Sequence, residues 1–538
     1  MMCCESFPGG ATRAKNPAIQ MYGNRLVNDQ SPIELLVEFL LVMASSKRIT
    51  DRGIPFSTSL PDFKTLTGWP YMGTLQYAPK ARLNLKLFSF MGASRLDSRH
   101  ETHRLHYKEL LERLHTNIRV MESGTENDVL RTLENLFLGF QGAGSGRTWC
   151  AQSFLPVCPG LIAGETIWNE TVARRNPPSD WHYAIENLKT YFAMDKHNFL
   201  ARGGEVLYLQ LCNALRQKPE SVSEWVSESG IEIEPQEQEP AWLHAELQRE
   251  LGLLLTHCPQ TVTDIAEFID AGVDHVTSKK TDGNDSEPRF VDSGWCPADS
   301  WQEGYLFAVE LLRLCLADLD VIERLQLFET ACAMQVLRSL AVQSVRHCPP
   351  ERTVSWPGYR IAVSAPDEKR LAVKRISQHT VKTIEKIIYR AIRCVEMKPP
   401  PSDNDRNKIL KEADTSYGGK LFVSTAKRIG MIVPRRGAGV RFTLNEQLLR
   451  LLVVTTVPVG GRLTYDSFKK LVKARCGLVF DADGFAQAST WADGVGEVHL
   501  GSHCDAWLQE MLQAAGLLIE LSDSCALVEN PAANANSE

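Results

Sequence analysis

Apolar residues recur at three- and four-residue spacing along most of the chain, the signature of helices with one buried face. The pattern predicts helices over 32–45, 98–120, 126–140, 181–194, 204–215, 241–271, 306–316, 325–345 and 371–397. Ser31 followed by Pro32 supplies a start for the first of them. Met334, Leu337, Ala341 and Val345 form a stripe at helical spacing and read as core. The segment 82–91 alternates in part at Leu83, Leu85 and Leu87, and is assigned to helix over strand. Residues 359–364 read as a short strand. Pro55, Pro61, Pro70 and Pro79 make 51–80 irregular. The run 218–240 is rich in Glu, Ser and Pro and offers little to bury, so it reads as an exposed linker. A second polar break falls at 279–288, and three consecutive prolines, Pro399 to Pro401, mark the clearest boundary.

The expected fold class is therefore mainly α, a multi-domain helical protein. Its parts are a flexible arm (1–30), an N-terminal helical domain (31–217), an acidic linker (218–240), a central helical domain (241–397), a linker (398–416), a C-terminal domain (417–530) and a tail (531–538). The C-terminal domain has the most specific order of elements. Thr443 and Glu446 have capping-box spacing, and Leu448, Leu449, Leu451 and Leu452 give the following helix an apolar face. Pro458 and Gly460-Gly461 end it. Thr464 caps a second helix whose inner face is Phe468, Leu471 and Val472, and Gly477 stops it. A third helix is predicted over 502–515, followed by two short apolar runs, 517–521 and 525–528, that read as a hairpin. Three helices and then a hairpin is the order of a winged helix.

Charge is segregated within this domain. Residues 420–476 hold twelve Lys or Arg against Glu446 and Asp466, whereas 477–538 hold ten Asp or Glu and no Lys or Arg. In a helix-turn-helix the later helix enters the major groove. Here that helix carries Asp505 and Glu510, the wrong sign for DNA. Candidate nucleic-acid contacts are therefore Arg435, Arg436, Arg441, Lys469, Lys470 and Lys473, with Asp505 and Glu510 as candidate partner-binding residues. The glycines beside Arg435 and Arg436 suit backbone contact with an anion. The alternative for the 469–475 helix is a solvated charged face.

A net charge of −6 over 538 residues excludes a protein that coats nucleic acid over its whole surface. Fourteen cysteines without a Cys-x-x-Cys pair match neither a zinc ribbon nor a small disulfide scaffold. No signal peptide is evident, and the apolar stretch 33–43 contains Glu34 and Glu38 and is too short to span a bilayer. The expectation is a cytoplasmic protein with no membrane contact and no cofactor.

Residues 139–148 are similar to a phosphate-binding loop, with Gly144, Gly146, Arg147 and Thr148 as candidate anion ligands. The first glycine position is Gln141, the lysine position is Arg147, and the preceding run fits a helix better than a strand. A helix–helix connection is the competing reading. His100, Glu101, His103 and His106 lack the His-Glu-x-x-His spacing of a metalloprotease helix and read as an outer face. No Gly-x-Ser-x-Gly elbow is present. The 366–369 and 481–484 acidic stretches read as a helix start and a turn. No catalytic residue and no metal ligand are assigned.

Four phrases taken together, Pro79 to Leu87, Glu134 to Phe140, Ile167 to Thr171 and Val433 to Gly437, resemble a full-length family of bacterial proteins encoded in multi-gene, methylation-associated anti-phage defence clusters. The resemblance implies a bacterial component that works with a methyltransferase or other subunits of its operon, and it carries over no catalytic residue. The expected function is thus a non-catalytic defence component that binds partner subunits or DNA through the C-terminal domain. A degenerate nucleotide-binding protein using 142–148 and a structural scaffold are the alternatives.

Overall fold

The computed structural model describes residues 16–531 except 24–25, 51, 70–74, 93–99, 122–123, 144–146, 194–202, 257–259, 272–289, 351–353, 398–399, 493–503 and 523–524. The chain is mainly helical, and among the described residues the strands form short pairs and three-stranded sheets. No helix among the described residues is long and apolar enough to cross a membrane.

Helix α1 (Pro32–Ala44) starts at a capping box, in which the Ser31 backbone N–H donates to Glu34 Oε2 at 2.6 Å. Helix α2 (Glu101–Asn117) lies in a separate N-terminal core. Helix α3 (Gly203–Leu215) is buried at every position, so it is the central member of a bundle. Helix α4 (Pro219–Ser229) occupies the stretch whose composition predicts an open linker. Its apolar residues are few, but Val222, Trp225 and Val226 fall on one face and are buried. Trp225 meets Trp301, Tyr305 and Trp356 edge-on, and Gly230 in the left-handed region ends the helix. The linker assignment is therefore corrected: spacing outweighs composition here.

Helices α5 (Trp301–Leu316) and α6 (Val321–His347) close the bundle, since α1, α3, α5 and α6 pack in a ring. Two glycines set how closely they approach. A Cβ on Gly204 would lie 2.2 Å from the Leu35 carbonyl oxygen, and one on Gly304 would lie 2.7 Å from the Gln210 carbonyl oxygen. Strand β1 (Ile361–Ala362) leads to α7 (Leu371–Cys394), whose apolar face lies against α6. The 398–416 stretch is not open coil, because Asp403–Glu412 is a helix capped by Ser402, although it buries no residue.

Next come strands β2 (Ile432–Val433) and β3 (Arg441–Phe442), which pair antiparallel, then α8 (Glu446–Thr456), β4 (Arg462–Thr464), α9 (Tyr465–Cys476), β5 (Leu478–Val479), α10 (Ala482–Trp491), α11 (Ala506–Ala514), β6 (Leu518–Ser522) and β7 (Cys525–Glu529). Asn445, rather than Thr443, caps α8, accepting from the Leu448 backbone N–H at 2.8 Å. Thr464 caps α9, and Gly477 ends it in the left-handed region, as the sequence predicts. The expected hairpin is present as β6–β7, and β4 adds on its far side, giving the order β4–β7–β6. Helix α10 adds to the predicted elements; Asp481 caps it where the sequence reads as a turn. Strand β5 pairs in parallel with β1 from the central region.

One apolar cluster runs from Ala18 to Val528 and takes in the bundle and the C-terminal elements alike. A second covers Ala81–Phe192 with Ala266 and Ile269. The expected boundaries at 217 and 398–416 are thus not gaps in packing. In the second core His103 lies inside a ring of Trp149, Trp168, Trp181 and Phe192. His106 stacks on Trp181 at 4.3 Å and bonds Asn84 Oδ1 through Nε2 at 2.8 Å. The sequence reading of these histidines as an outer face is corrected: α2 turns them inward.

Candidate functional site

The six basic candidates do not form one free surface. Arg435 and Arg436 are exposed in the loop between β2 and β3, where Gly437 and Gly439 have positive φ. Arg441, on β3 itself, turns inward. Its guanidinium donates to Ser364 Oγ at 2.7 Å and to the carbonyls of Ala365 at 3.0 Å and Pro366 at 2.7 Å. Burial lowers its pKa from the usual arginine value, against the pull of Glu368 and Asp367. It fastens the hairpin to the body.

Lys469, Lys470 and Lys473 lie along α9 and line a cleft of about 340 Å³ whose opposite wall is β5 and the start of α10. Lys469 is spent within the protein. Its Nζ lies 2.7 Å from Asp505 Oδ2, 3.2 Å from Asp466 and 3.4 Å from Asp481. Burial disfavours its charge, but the three carboxylates outweigh burial and raise its pKa. Asp505 is itself buried, and its Oδ2 also accepts from the Tyr465 hydroxyl at 3.0 Å. Burial and that carboxylate push the Tyr465 phenol up. Two residues assigned to different surfaces, Lys469 for DNA and Asp505 for a partner, are thus each other's counter-charge. Lys470 is exposed and Lys473 half-buried, and neither has a carboxylate at ion-pair distance among the described residues.

Helix α11 buries Leu508 and Leu512 and presents Ala506, Gln509, Glu510, Gln513 and Ala514 to solvent. This outward face carries one acid and no base. The face is polar, with Glu510 as its one charged residue.

Sequence reasoning missed a seam of buried arginines. Arg313 forms a two-pronged pair with Glu237, Nε to Oε1 at 2.8 Å and Nη2 to Oε2 at 2.6 Å. Its Nη1 donates to the carbonyls of Thr455 and Thr456, at the C-terminal end of α8, at 2.9 and 2.8 Å. Arg475, fully buried, donates to Thr455 O at 2.7 Å and Glu232 O at 2.8 Å. Burial and the neighbouring Arg313 bring its pKa down to about 9. Arg338 pairs with Glu310 at 2.5 Å. Two cations at the negative end of α8 suit the helix dipole, and they bind the C-terminal elements to the bundle.

Gly144 and Gly146 of the glycine-rich loop lie outside the described residues. Arg147 is engaged by Glu34 at 3.2 Å and Glu165 at 3.4 Å, and Thr148 Oγ1 lies against Cys150 Sγ at 3.4 Å. The loop leads into a single 3₁₀ turn, Trp149–Ala151, with no α-helix N-terminus to face an anion. Comparison of the chain with family models, with curated proteins and with solved structures finds no match to any of them.

Proposed function

We propose that this chain is a non-catalytic component of a bacterial anti-phage defence system, and that its C-terminal region is a winged-helix-like module that docks a partner subunit. The order α8–β4–α9–α11–β6–β7 with the sheet β4–β7–β6 supports the winged-helix reading, α10 being an insertion between the second and third helices. The observation that carries the protein-docking reading is the outward face of α11. A groove-reading helix needs cations toward the phosphates; the outward face of this one has none and carries Glu510. Charge complementarity assigns it a partner with a basic surface.

The test is copurification of the proteins encoded beside this chain with wild type and with a Gln509→Arg/Glu510→Arg/Gln513→Arg variant. Loss of one named neighbour from the variant alone is the expected result. Equal recovery of every neighbour by both proteins, with the fold intact, rejects the face as the docking surface.

A second reading keeps nucleic acid, on one observation: Lys470 and Lys473 line an open cleft and lack internal counter-charges among the described residues. With Arg435 and Arg436 they would supply about four phosphate contacts, giving a log–log salt slope of about −3.6 on duplex DNA. A slope near zero removes this reading.

A further inference from the structure

We infer that the outer side of α7, with the β2–β3 loop held beside it, is a docking surface for the phosphate backbone of a nucleic-acid duplex. It uses none of the residues of the α11 face or of the cleft along α9. Helix α7 is 24 residues long and holds six Lys or Arg against one acid, Glu385. Helix α2, 17 residues long, mixes its signs, with Arg104, Lys108 and Arg113 against three glutamates. The excess on α7 is therefore a segregated charge rather than the balanced coat of a solvated helix.

The register of α7 puts that charge in a row. Val373, Ile376, Ile384 and Ile388 are buried against the body. Arg375, Lys382, Lys386 and Arg390 follow at steps of seven, four and four residues, so they share the opposite side, and all four are exposed. They span roughly 22 Å along the helix axis. None of the four has a carboxylate at ion-pair distance among the described residues. Arg393 is set apart, since it pairs with Asp414 at 2.8 Å and lies over the Tyr389 ring. Glu385 is half-buried, and burial raises its pKa.

A second element extends the row. Gln378 Nε2 donates to the Gly439 carbonyl at 3.3 Å, and Ser377 Oγ accepts from the Phe442 backbone N–H at 2.8 Å. These bonds hold the β2–β3 hairpin against α7, and its loop presents the exposed Arg435 and Arg436. The space around Gly437 is open, since a Cβ there would meet nothing within 4 Å. Backbone of this kind can approach a phosphate closely.

Charge complementarity selects the occupant. A lipid surface holds a helix through an apolar face left unburied; here that face is packed on α6, and Leu371 and Tyr389 are the exposed large apolar residues of the helix. A protein partner is anchored by a buried apolar centre, which this row of cations lacks. A duplex needs neither, because cations spaced along its backbone bind by releasing counterions.

The experiment measures binding of the full-length chain to fluorescein-labelled duplex DNA and duplex RNA over a series of salt concentrations. Six contacts, from Arg375, Lys382, Lys386, Arg390, Arg435 and Arg436, give a log–log slope of up to about −5.4 on DNA. Arg375→Gln/Lys382→Gln/Lys386→Gln should flatten it by about 2.7. The charge-keeping variant Arg375→Lys/Lys382→Arg/Lys386→Arg should retain it, as should Lys470→Gln/Lys473→Gln. Absence of binding to both duplexes overturns the inference, as does an unchanged slope in the glutamine variant. Flattening in Lys470→Gln/Lys473→Gln alone also overturns it, and moves the contact to the α9 cleft. Binding to phosphatidylserine vesicles but to neither duplex assigns the row to a membrane and overturns it too. The copurification test of the α11 face is independent, so either reading can fail while the other stands.

Discussion

Two buried polar clusters in this molecule solve the same problem in opposite ways. In the N-terminal core, His103 and His106 are enclosed by tryptophans, and burial holds both near pKa 3, so they are carried inside as neutral rings. In the seam beneath the C-terminal module, Arg313 and Arg338 remain charged and are matched by Glu237 and Glu310, with carbonyls completing the bonds of Arg313. A weak base can escape the cost of desolvation by losing its proton; a guanidinium must be given partners. The first device fails in acid and the second when a partner is removed.

The largest effect is expected at the seam. Arg313→Ala leaves Glu237 buried without its cation and two α8 carbonyls without donors. It should cost about 3–5 kcal/mol, read as a fall in the denaturant midpoint at neutral pH. An undiminished midpoint would mean that the seam is not what fastens the module.

Acid should break the other cluster. The folded-state values of His103 and His106 lie below the ordinary histidine value of 6.5. The unfolded chain therefore binds protons that the native chain does not, and stability falls as pH drops below about 6.5. Each histidine contributes a slope of up to about 1.4 kcal/mol per pH unit, so the pair can remove up to about 4 kcal/mol by pH 5. Denaturant titrations at several pH values measure the slope, and His106→Gln should roughly halve it.

Lys469→Met should cost about 1–3 kcal/mol by stranding Asp505 beside Tyr465. Because the folded-state pKa of Lys469 is raised, its contribution is fully present below the unfolded value of about 10.4 and is lost as pH rises through the folded value. The variant should thus show a shallower alkaline loss than wild type. The smallest effect belongs to the exposed loop. Arg435→Ala with Arg436→Ala should change stability by less than about 0.5 kcal/mol. A larger loss would place that loop with the seam.

Much of the helical frame is legible in the sequence because its signals are local. Ser31 with Glu34, Thr464 and Gly477 act within a turn of their own positions. Helix α4 is legible too, from Val222, Trp225 and Val226 between Pro219 and Gly230, but its acidic composition masks that spacing. Arg475 follows Phe468 and Val472 on the buried side of α9, a register that points it inward, yet its charge suggests solvent. The candidate site is less readable for a different reason. Whether Lys469 faces water or Asp505 depends on where α11 lands, and nothing local to either residue encodes that. The inward turn of Arg441 likewise depends on the carbonyls of Ala365 and Pro366, far away in sequence.

The parallel pairing of β1 with β5 has a consequence for synthesis. The β1 strand leaves the ribosome well before its mate, on the other side of the proline-rich stretch. Until β5 arrives, Ile361 and Ala362 present an unpaired edge, and Arg313 has its carboxylate but not the carbonyls of Thr455 and Thr456. Non-local closures of this kind are slow, and exposed edges invite aggregation of the nascent chain. A protein cut at 398–416 would be held permanently in that state, so halves expressed separately should be less soluble than the whole.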